Sequence, residues 1–367
     1  MNPAADMRGR SRTCVPFTTR RGVRRAIGRL ALVAACALSS TACERKPSWY
    51  SATRELYFGI PVTVSFSPPH DALAARAWES LERIDEVFNV HRADSEAGRL
   101  NAELARAAPP EGVSVSADIK EALGLSSDAH RLTGGAFDVT VKPLIDLWRA
   151  AAEAKTPPED SEIAKALAHS GATKLRMEGD RVIAAGPGLS LDFGGIVKGM
   201  AVDRAVSILR EGGARSGLVQ VGGETACWGV SRRGRPHVIG VRDPLSPLDA
   251  GALWAAIADP GTGLSCATSG NYFSPIVIAG KPYYHIVDPR TGSPVDTRTL
   301  SVTLAFRQTG KNGLADALST AGAVIGPERA VELAGKLGAE ALVIYIDAEG
   351  GEPKQAKTPG WDALVPE

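Results

Sequence analysis

The chain has 367 residues, of which 44% are hydrophobic and 23% are charged, a composition typical of globular proteins. A chain of this length buries a sizeable core, either as one large domain or as two closely packed ones. Lysine and arginine number 42 against 41 aspartates and glutamates, so the net charge is +1. This balance gives no sign of the basic footprint of a nucleic-acid-binding protein.

The N-terminus has the pattern of an export signal. Arginines crowd the first thirty residues, and a short apolar run that ends in small residues follows at 30–43. This pattern predicts a secretory signal peptide, here residues 1–42, because the run is shorter than the roughly 20 residues of a membrane-spanning helix. Ser40-Thr41-Ala42-Cys43 is similar to a bacterial lipobox, so we expect lipidation of Cys43. Plain cleavage and an uncleaved anchor are the alternatives.

Removal of this signal decides which cysteines remain. Cys14 and Cys36 would leave with it, so Cys227 and Cys266 would be the remaining candidates for a disulfide. An oxidising compartment permits that disulfide, and the absence of zinc-type spacing predicts no metal cluster of cysteines. We expect residues 43–54 to form a tether and residues 55–367 to form a single large domain.

Hydrophobic spacing and turn residues predict the elements of this domain. Strands and helices are mixed without regular alternation, which favours an α+β fold over a doubly wound sheet. The expected strands are 55–66 (one long strand or a pair), 189–192, 217–221, 237–242, 274–279, 300–306 and 341–347. The expected helices run from Asp71 to Phe88, from a Ser116 cap to a Gly134 cap, from a polar connection at 151–160 to Gly171, and over 196–210, 312–324 and 327–337.

A glycine-rich segment between an expected strand and an expected helix has features of a phosphate site. It reads Asp-Phe-Gly-Gly-Ile-Val-Lys-Gly at 192–199. Glycines let the backbone approach a ligand, a helix N-terminus offers free N–H groups to a phosphate, and Lys198 would add a cation. The pattern is equally compatible with a plain turn, and it matches neither the dinucleotide fingerprint nor the P-loop.

Asp316 and Thr320 are candidate metal ligands. They are four residues apart on an expected helix, so their oxygens project from one face. A carboxylate and a hydroxyl are hard donors, suited to a Mg²⁺ ion that also binds substrate phosphates. The alternative is a structural pair, with the aspartate near the positive end of the helix.

His285 is a candidate proton acceptor. It occupies a strand-like segment that runs into the Asp288-Pro289 turn. Imidazole titrates near neutral pH and can take a proton from a hydroxyl nucleophile. The alternative is an ordinary residue at a strand edge.

Taken in order, these and further motifs resemble those of the ApbE family, the FAD:protein FMN transferases. The resemblance covers nearly all of the chain after the expected signal. Its motifs are Asp-Ser-Glu at 94–96, Gly-Ala-Phe-Asp-Val-Thr at 135–140, Asp-Phe-Gly-Gly-Ile-Val-Lys-Gly at 192–199, Gly-Gly-Glu at 222–224, Thr-Ser-Gly at 268–270, His-Ile-Val-Asp-Pro-Arg-Thr-Gly at 285–292 and Ala-Asp-Ala-Leu-Ser-Thr-Ala at 315–321.

The resemblance implies one ApbE-like (T-fold-like) catalytic domain of mixed sheets flanked by helices, with FAD as substrate. It implies Mg²⁺ held by Asp316, Thr320 and the backbone carbonyl of Gly195. The implied FAD contacts are Phe58, His91, Ala136, Phe137, Asp138, Asp192, Lys198 and Val287.

The chain departs from the family pattern at three positions. Phe58 opens a Phe-Gly-Ile segment where the family usually has Met-Gly-Thr, and His91 stands where a tyrosine commonly stacks on the flavin. Glu224 replaces the more usual aspartate or asparagine. Aromatic and imidazole rings still pack against a flavin ring. These changes therefore affect the geometry of the bound flavin ring and not the metal site.

The resemblance implies Mg²⁺-dependent transfer of FMN from FAD to a threonine or serine of an acceptor protein, such as a membrane redox subunit, with release of AMP. Mg²⁺ and Lys198 would neutralise the developing charge, and His285 is the candidate base. The alternatives are hydrolysis of FAD to FMN and AMP, and a flavin-binding lipoprotein without activity. We expect the lipidated protein to lie at the periplasmic face of the inner membrane, with membrane lipid as a partner and no nucleic acid.

Overall fold

The structure is a computed structural model that describes most of the expected domain. It covers residues 48–366 apart from 57–58, 91, 107–110, 250, 271–275, 296–297 and 349–350. Cys43, Phe58 and His91, and the expected signal peptide, lie outside the described residues.

Strands and helices alternate irregularly along the described chain. The strands are β1 Tyr50–Leu56, β2 Ile60–Ser67, β3 Val113–Ser114, β4 Leu175–Glu178, β5 Arg181–Ala184, β6 Ser216–Val221, β7 Glu224–Trp228, β8 Val238–Arg242, β9 Leu253–Ala258, β10 Leu264–Gly270, β11 Ile276–Ile278, β12 Lys281–Tyr283, β13 Thr299–Phe306, β14 Glu340–Ile346 and β15 Pro353–Lys357. The helices are α1 Asp71–Phe88, α2 Glu96–Arg106, α3 Ala117–Thr133, α4 Lys142–Ala154, α5 Asp160–Ala168, α6 Val197–Glu211, α7 Asn312–Ile325 and α8 Pro327–Lys336.

An eight-stranded antiparallel sheet organises these elements, in the order β1-β2-β6-β7-β10-β13-β14-β15. Smaller sheets are formed by β3-β5-β4, by β8-β9 and by β11-β12. This mixture confirms the expected α+β class. None of the described helices is both long and apolar enough to cross a membrane.

The two faces of the large sheet have different covers. Because side chains alternate along a strand, Ala226 and Trp228 of β7 point into the core under the helices, whereas Cys227 points the other way. Helices α6 and α7 pack on the first face. On the second face, the β8-β9 hairpin and Trp361 close a separate cluster.

The described residues belong to one compact unit, Arg45–Glu367, which contains every hydrophobic cluster of the described chain. The largest cluster lies between the sheet and helices α1, α3 and α6. Because a complete core lies inside this unit, we expect it to fold without the segment that precedes it.

Most of the predicted elements are confirmed, and their caps explain why. Helix α1 buries Leu73, Leu81 and Phe88 on one face, as its spacing predicts. Helix α3 begins at a Ser116 cap and ends at Gly134, whose φ of 60° is the left-handed conformation that glycine adopts at little cost.

The expected strand at 189–192 is wrong. Leu189 and Leu191 are buried, which produces a strand-like pattern, but the segment pairs with no strand. Instead, the side chain of Asn101 donates to Leu191 O (2.9 Å) and accepts from Leu191 N (2.7 Å), so a side-chain amide replaces a neighbouring strand.

Three boundaries also differ from expectation. Residues 50–54 of the expected tether belong to β1, because they pair with β2 along its length. Residues 151–154 of the expected connection complete α4. His285 lies beyond the end of β12 rather than in a strand.

Candidate active site

A cavity of about 800 Å³ opens where helices α6 and α7 meet the ends of β7 and β10. Its volume lies in the range of small-molecule sites. The residues that matter most for its chemistry are Ala136, Phe137, Asp138, Asp192, Gly195, Lys198, Glu224, Ser269, His285, Val287, Asp316 and Thr320. All the expected site residues that the structure describes therefore line one cavity.

A charged cluster forms the floor of the cavity. The Lys198 ammonium lies 3.3 Å from Asp316 Oδ1 and 3.3 Å from Glu224 Oε1, and it donates to Gly194 O at 2.9 Å. Both carboxylates are 1% exposed. When Glu224 and Asp316 are both ionised, two buried carboxylates around one ammonium leave a net negative charge, and a further cation would favour that state.

Burial and mutual attraction oppose each other in this cluster. Burial lowers the pKa of Lys198, but the charges of Asp316 and Glu224 outweigh it, so that the pKa is raised and the side chain stays charged. Burial raises the pKa of Glu224 to about 8, against the lowering effect of the Lys198 cation and with the help of the Asp316 charge. Glu224 Oε2 is buried and accepts no hydrogen bond from the described residues.

Glycine at position 199 makes this cluster possible. A Cβ atom there would lie 2.2 Å from Asn312 O, so any larger residue would push α6 away from α7. The close approach lets Gly199 N donate to Asp316 Oδ2 at 3.1 Å. The start of α7 is held in turn by Asp203, whose carboxylate accepts from Asn312 N and Gly313 N, both at 2.9 Å.

A row of hydroxyl groups lies beside the cluster. Ser269 Oγ is 3.2 Å from Thr320 Oγ1 and 2.7 Å from Ser319 Oγ. Gly195 is close to the same threonine, because a Cβ atom at Gly195 would lie 3.1 Å from Thr320 Oγ1. Asp316 and Thr320 thus place a carboxylate and a hydroxyl in the cavity, with the backbone of Gly195 close to the hydroxyl.

This donor set fits Mg²⁺, which prefers oxygen ligands and completes its shell with water and phosphate. The unpartnered Glu224 Oε2 beside Asp316 adds a reason for a cation at this corner. Within the described ranges, no group of three or more His, Cys, Asp and Glu side chains could hold a metal by itself.

His285 lines the same cavity from a loop, in a bend that follows β12. Its side chain is open to the cavity, yet the surrounding protein removes enough water to lower its pKa, and the Lys198 cation lowers it further. Asp192 opposes this shift. The imidazole is therefore neutral at neutral pH, the state in which it can accept a proton.

The wall formed by Ala136, Phe137 and Asp138 is buried. Asp138 Oδ1 accepts from Thr140 N at 2.8 Å and Thr140 Oγ1 at 2.6 Å, and Oδ2 accepts from Ala172 N at 2.8 Å. Both oxygens of this carboxylate are thus engaged by the protein itself. Its clearest task is to hold the loop that carries Phe137.

Two residues of the site escaped the sequence-based selection. Glu224 was noted only as a departure from a family pattern, although it is a partner of Lys198. Ser269 was quoted only as part of the Thr-Ser-Gly motif, but it lies in β10 and contacts Thr320. The polar end of an otherwise buried strand was the available signal in both cases.

An α+β domain whose cavity combines a lysine at a helix start, buried carboxylates and hydroxyl groups has the features of a protein that binds a phosphate-containing ligand. The chain belongs to the ApbE family, whose model matches residues 58–343. A Vibrio cholerae protein named FAD:protein FMN transferase is 33% identical over 256 residues, which cover 69% of this chain and 73% of that protein.

Solved structures support the same membership. The flavin transferase ApbE from Vibrio cholerae matches with a TM-score of 0.73 and 27% identity, covering 87% of this chain and 100% of that one. The apo form of the flavinyl transferase ApbE from Pseudomonas stutzeri matches with a TM-score of 0.73 and 27% identity, covering 88% and 98%. The fold and the family are therefore those that the sequence motifs indicated.

Proposed function

We propose that this protein is a transferase that moves FMN from FAD to a threonine or serine hydroxyl of another protein, with Mg²⁺, and releases AMP. The observation that carries the proposal is the buried cluster of Lys198, Asp316 and Glu224 beside Thr320. Family membership and the printed names of the relatives supply the substrate class.

The residues of the floor bind and orient the pyrophosphate. Asp316, Thr320 and the carbonyl of Gly195 would hold Mg²⁺, which neutralises the charge of the cleaved pyrophosphate when it is bound. Lys198 stays charged at the same corner and supplies a second positive group. The N-terminal turn of α6 adds backbone N–H groups at the cavity wall.

The residues of the loop wall, which carries His285, act on the nucleophile. His285 is neutral and open to the cavity, so its imidazole accepts the proton of the attacking hydroxyl. Ala136, Phe137 and Val287 give the cavity an apolar lining against which a flavin ring packs. Asp192 also lines the cavity and favours the protonated form of His285 once it has accepted the proton.

The products that the purified protein forms from FAD test this function. Wild-type protein and the Asp316→Ala variant are each given FAD and Mg²⁺, with a membrane extract from a host that lacks its own transferase. We expect an FMN mass increment on a threonine or serine peptide, together with AMP, from the wild type alone. Free FMN with AMP and no modified peptide would instead show that water is the nucleophile. FAD returned intact by both would leave binding as the only activity.

We also propose that the protein is anchored by lipidated Cys43 at the periplasmic face of the inner membrane. This proposal rests on the arginine-rich start, the apolar run and the small residues before Cys43. Two acyl chains give stable anchoring. Fractionation of cells expressing wild type and Cys43→Ser should show the variant released from the membrane with unchanged purified activity. An N-terminal peptide without acyl mass in the wild type would contradict the anchor.

A further inference from the structure

A short turn between β7 and β8 presents three arginines to solvent. We call residues 231–236 the arginine turn, after Arg232, Arg233 and Arg235, which are all exposed. The backbone alone shapes it, because Ser231 N donates to Arg235 O at 2.7 Å and Val230 forms a bridge with Pro236. In the described part of the chain, none of the three guanidinium groups has an ion pair or hydrogen bond. Their charge is therefore available to a ligand outside the fold.

Apolar side chains flank these charges. Val230 is 46% exposed and Val238 is 54% exposed, one on each side of the arginine turn. Large hydrophobic residues at this degree of exposure beside unpaired arginines give the surface both an apolar and a cationic character. That combination is typical of segments that lie at the headgroup level of a bilayer.

The chain enters the fold beside this turn. Trp49 packs edge-on against His237, the residue that follows Pro236, with their ring centroids 6.3 Å apart. Cys43 precedes Ser48 by five residues, so its reach from Ser48 is at most about 18 Å. Two more basic residues, Arg45 and Lys46, fall in this short stretch of sequence.

We propose that the arginine turn, with Val230 and Val238, is a docking surface for an anionic phospholipid bilayer. Each basic residue near such a surface adds an attraction of about 1 kcal/mol, and guanidinium groups suit phosphate headgroups. An anchor at Cys43 would hold the turn at the lipid surface, but the docking surface itself does not depend on lipidation. It is independent of the proposed transfer of FMN.

The position of the turn gives docking a consequence for the cavity. Strand β8 begins two residues after Pro236, and its Ile239 and Gly240 line the cavity wall. At about 3.3 Å per residue, Gly240 is about 13 Å along the chain from Pro236. A docked turn would therefore keep the cavity mouth within reach of acceptor segments close to the membrane.

Vesicle binding by the compact unit tests the proposal. Residues 45–367 lack the signal and Cys43, so neither can bind lipid for them. We expect co-sedimentation with vesicles that contain one-third phosphatidylglycerol, little binding to pure phosphatidylcholine, and release at high salt, because surface charges are screened. The triple variant Arg232→Gln, Arg233→Gln, Arg235→Gln should bind the anionic vesicles about 100-fold more weakly, as three residues at about 1 kcal/mol each imply.

A second triple variant controls for net charge. Arg76, Arg106 and Arg329 are exposed on helices α1, α2 and α8, and Arg76→Gln, Arg106→Gln, Arg329→Gln should bind almost as wild type does. Equal losses in both variants, or equal binding to neutral vesicles, would overturn the proposal. So would a turn variant that binds vesicles normally but no longer modifies the acceptor, since that result assigns the surface to a protein. Thermal unfolding and FAD cleavage in detergent should match in all three proteins, which shows that the variants are folded.

Discussion

The two walls of the cavity are built in different ways. The helix wall carries the charged cluster of the cavity floor, with Lys198 on α6 and Asp316 on α7. Gly199 allows these helices to pack closely, and the Asp316 carboxylate is 1% exposed. The loop wall places His285 in a bend after β12, open to the cavity. The charged groups are thus fixed by helix packing, whereas the proposed base, His285, lies on a loop and is open to the cavity. Preorganised charge in a dry site is worth more than the same charge in water.

Loss of Asp316, the proposed metal ligand on the helix wall, should have the largest effect. We expect Asp316→Ala to reduce FAD cleavage by at least about 10³-fold, because a metal held there would supply several kcal/mol of charge stabilisation. The fold should survive, since Lys198 keeps Glu224 and Gly194 O as partners. Turnover over a range of Mg²⁺ concentrations and thermal unfolding are the measurements.

Ser319→Ala is a useful control on the same helix, because this hydroxyl contacts Ser269 but is not an expected ligand. Its Mg²⁺ dependence should stay close to that of the wild type. Unchanged Mg²⁺ dependence in Asp316→Ala would contradict the metal assignment and would make the helix wall a purely structural ion-pair cluster.

A substitution on the loop wall should change the pH dependence of the reaction and not its Mg²⁺ dependence. We expect His285→Ala to slow transfer by about 10²–10⁴-fold, as is typical of a lost general base, with FAD affinity little changed. The lowered pKa of His285 means that the neutral base persists below pH 6.5, the ordinary value, and activity falls only as pH drops through the shifted pKa. The acid limb of the rate–pH profile should therefore have its midpoint below 6.5 and should disappear in the variant.

His169→Ala is a matched control, since this half-buried histidine bonds to Pro187 O and does not line the cavity. Its rate–pH profile should retain the acid limb. A loss of FAD affinity in His285→Ala with an unchanged pH profile would make His285 a ligand contact, and the base would then lie elsewhere on the loop wall.

The contrast between the walls also explains what the sequence could predict. Helix α7 was predicted from its apolar spacing, so the shared face of Asp316 and Thr320 followed from a difference of four residues. The partner of that face did not follow, because Glu224 lies 92 positions before Asp316 and the packing of α6 against β7 brings it to Lys198. Single-sequence patterns report local periodicity, whereas this contact depends on how a helix packs on the sheet.

The mistaken strand at 189–192 teaches a related lesson. Alternating burial of Leu189 and Leu191 is what a strand would show, but the backbone is satisfied by Asn101 from α2. Periodicity records which side chains are buried and does not identify the hydrogen-bond partner. The roles of Phe58 and His91, which the family resemblance implies, stay predictions.

Substitution of Asp138 should have an effect of intermediate size, because both oxygens of this cavity carboxylate already accept hydrogen bonds from the protein. Asp138→Ala would leave Thr140 N and Ala172 N without acceptors, and buried hydrogen bonds to a charged group contribute about 1.5–3 kcal/mol each. We expect the free energy of unfolding to fall by about 3 kcal/mol, measured by urea denaturation. Asp128→Ala, in an exposed ion pair with Arg131, should cost less than about 0.5 kcal/mol. A stable Asp138→Ala variant that no longer binds FAD would show that Asp138 acts on the ligand, like Asp316.

The two cysteines near the floor of the cavity should produce the smallest effect. Both are buried and free, and they lie on neighbouring strands, where Cys227 is opposite Leu264 and Cys266 is opposite Thr225. They are therefore diagonal neighbours, which lie about 7–8 Å apart between Cα atoms, beyond the usual span of a disulfide. Burial raises the pKa of the Cys266 thiol to about 12, helped by the charge of Glu224, and burial also raises the pKa of Cys227.

Because the thiolate is the reactive form, neither cysteine should react at neutral pH while the protein is folded. In residues 45–367, we expect no labelling by a thiol reagent under native conditions, labelling of both cysteines in denaturant, and the same melting temperature with and without reductant. FAD cleavage by Cys266→Ala should stay within a few-fold of the wild type, although this residue lines the cavity. A disulfide-linked peptide pair, or a melting temperature that falls with reductant, would show that β7 and β10 approach more closely than this register allows. The contacts of the helix wall with these two strands, Lys198 with Glu224 of β7 and Thr320 with Ser269 of β10, would then also need a different geometry.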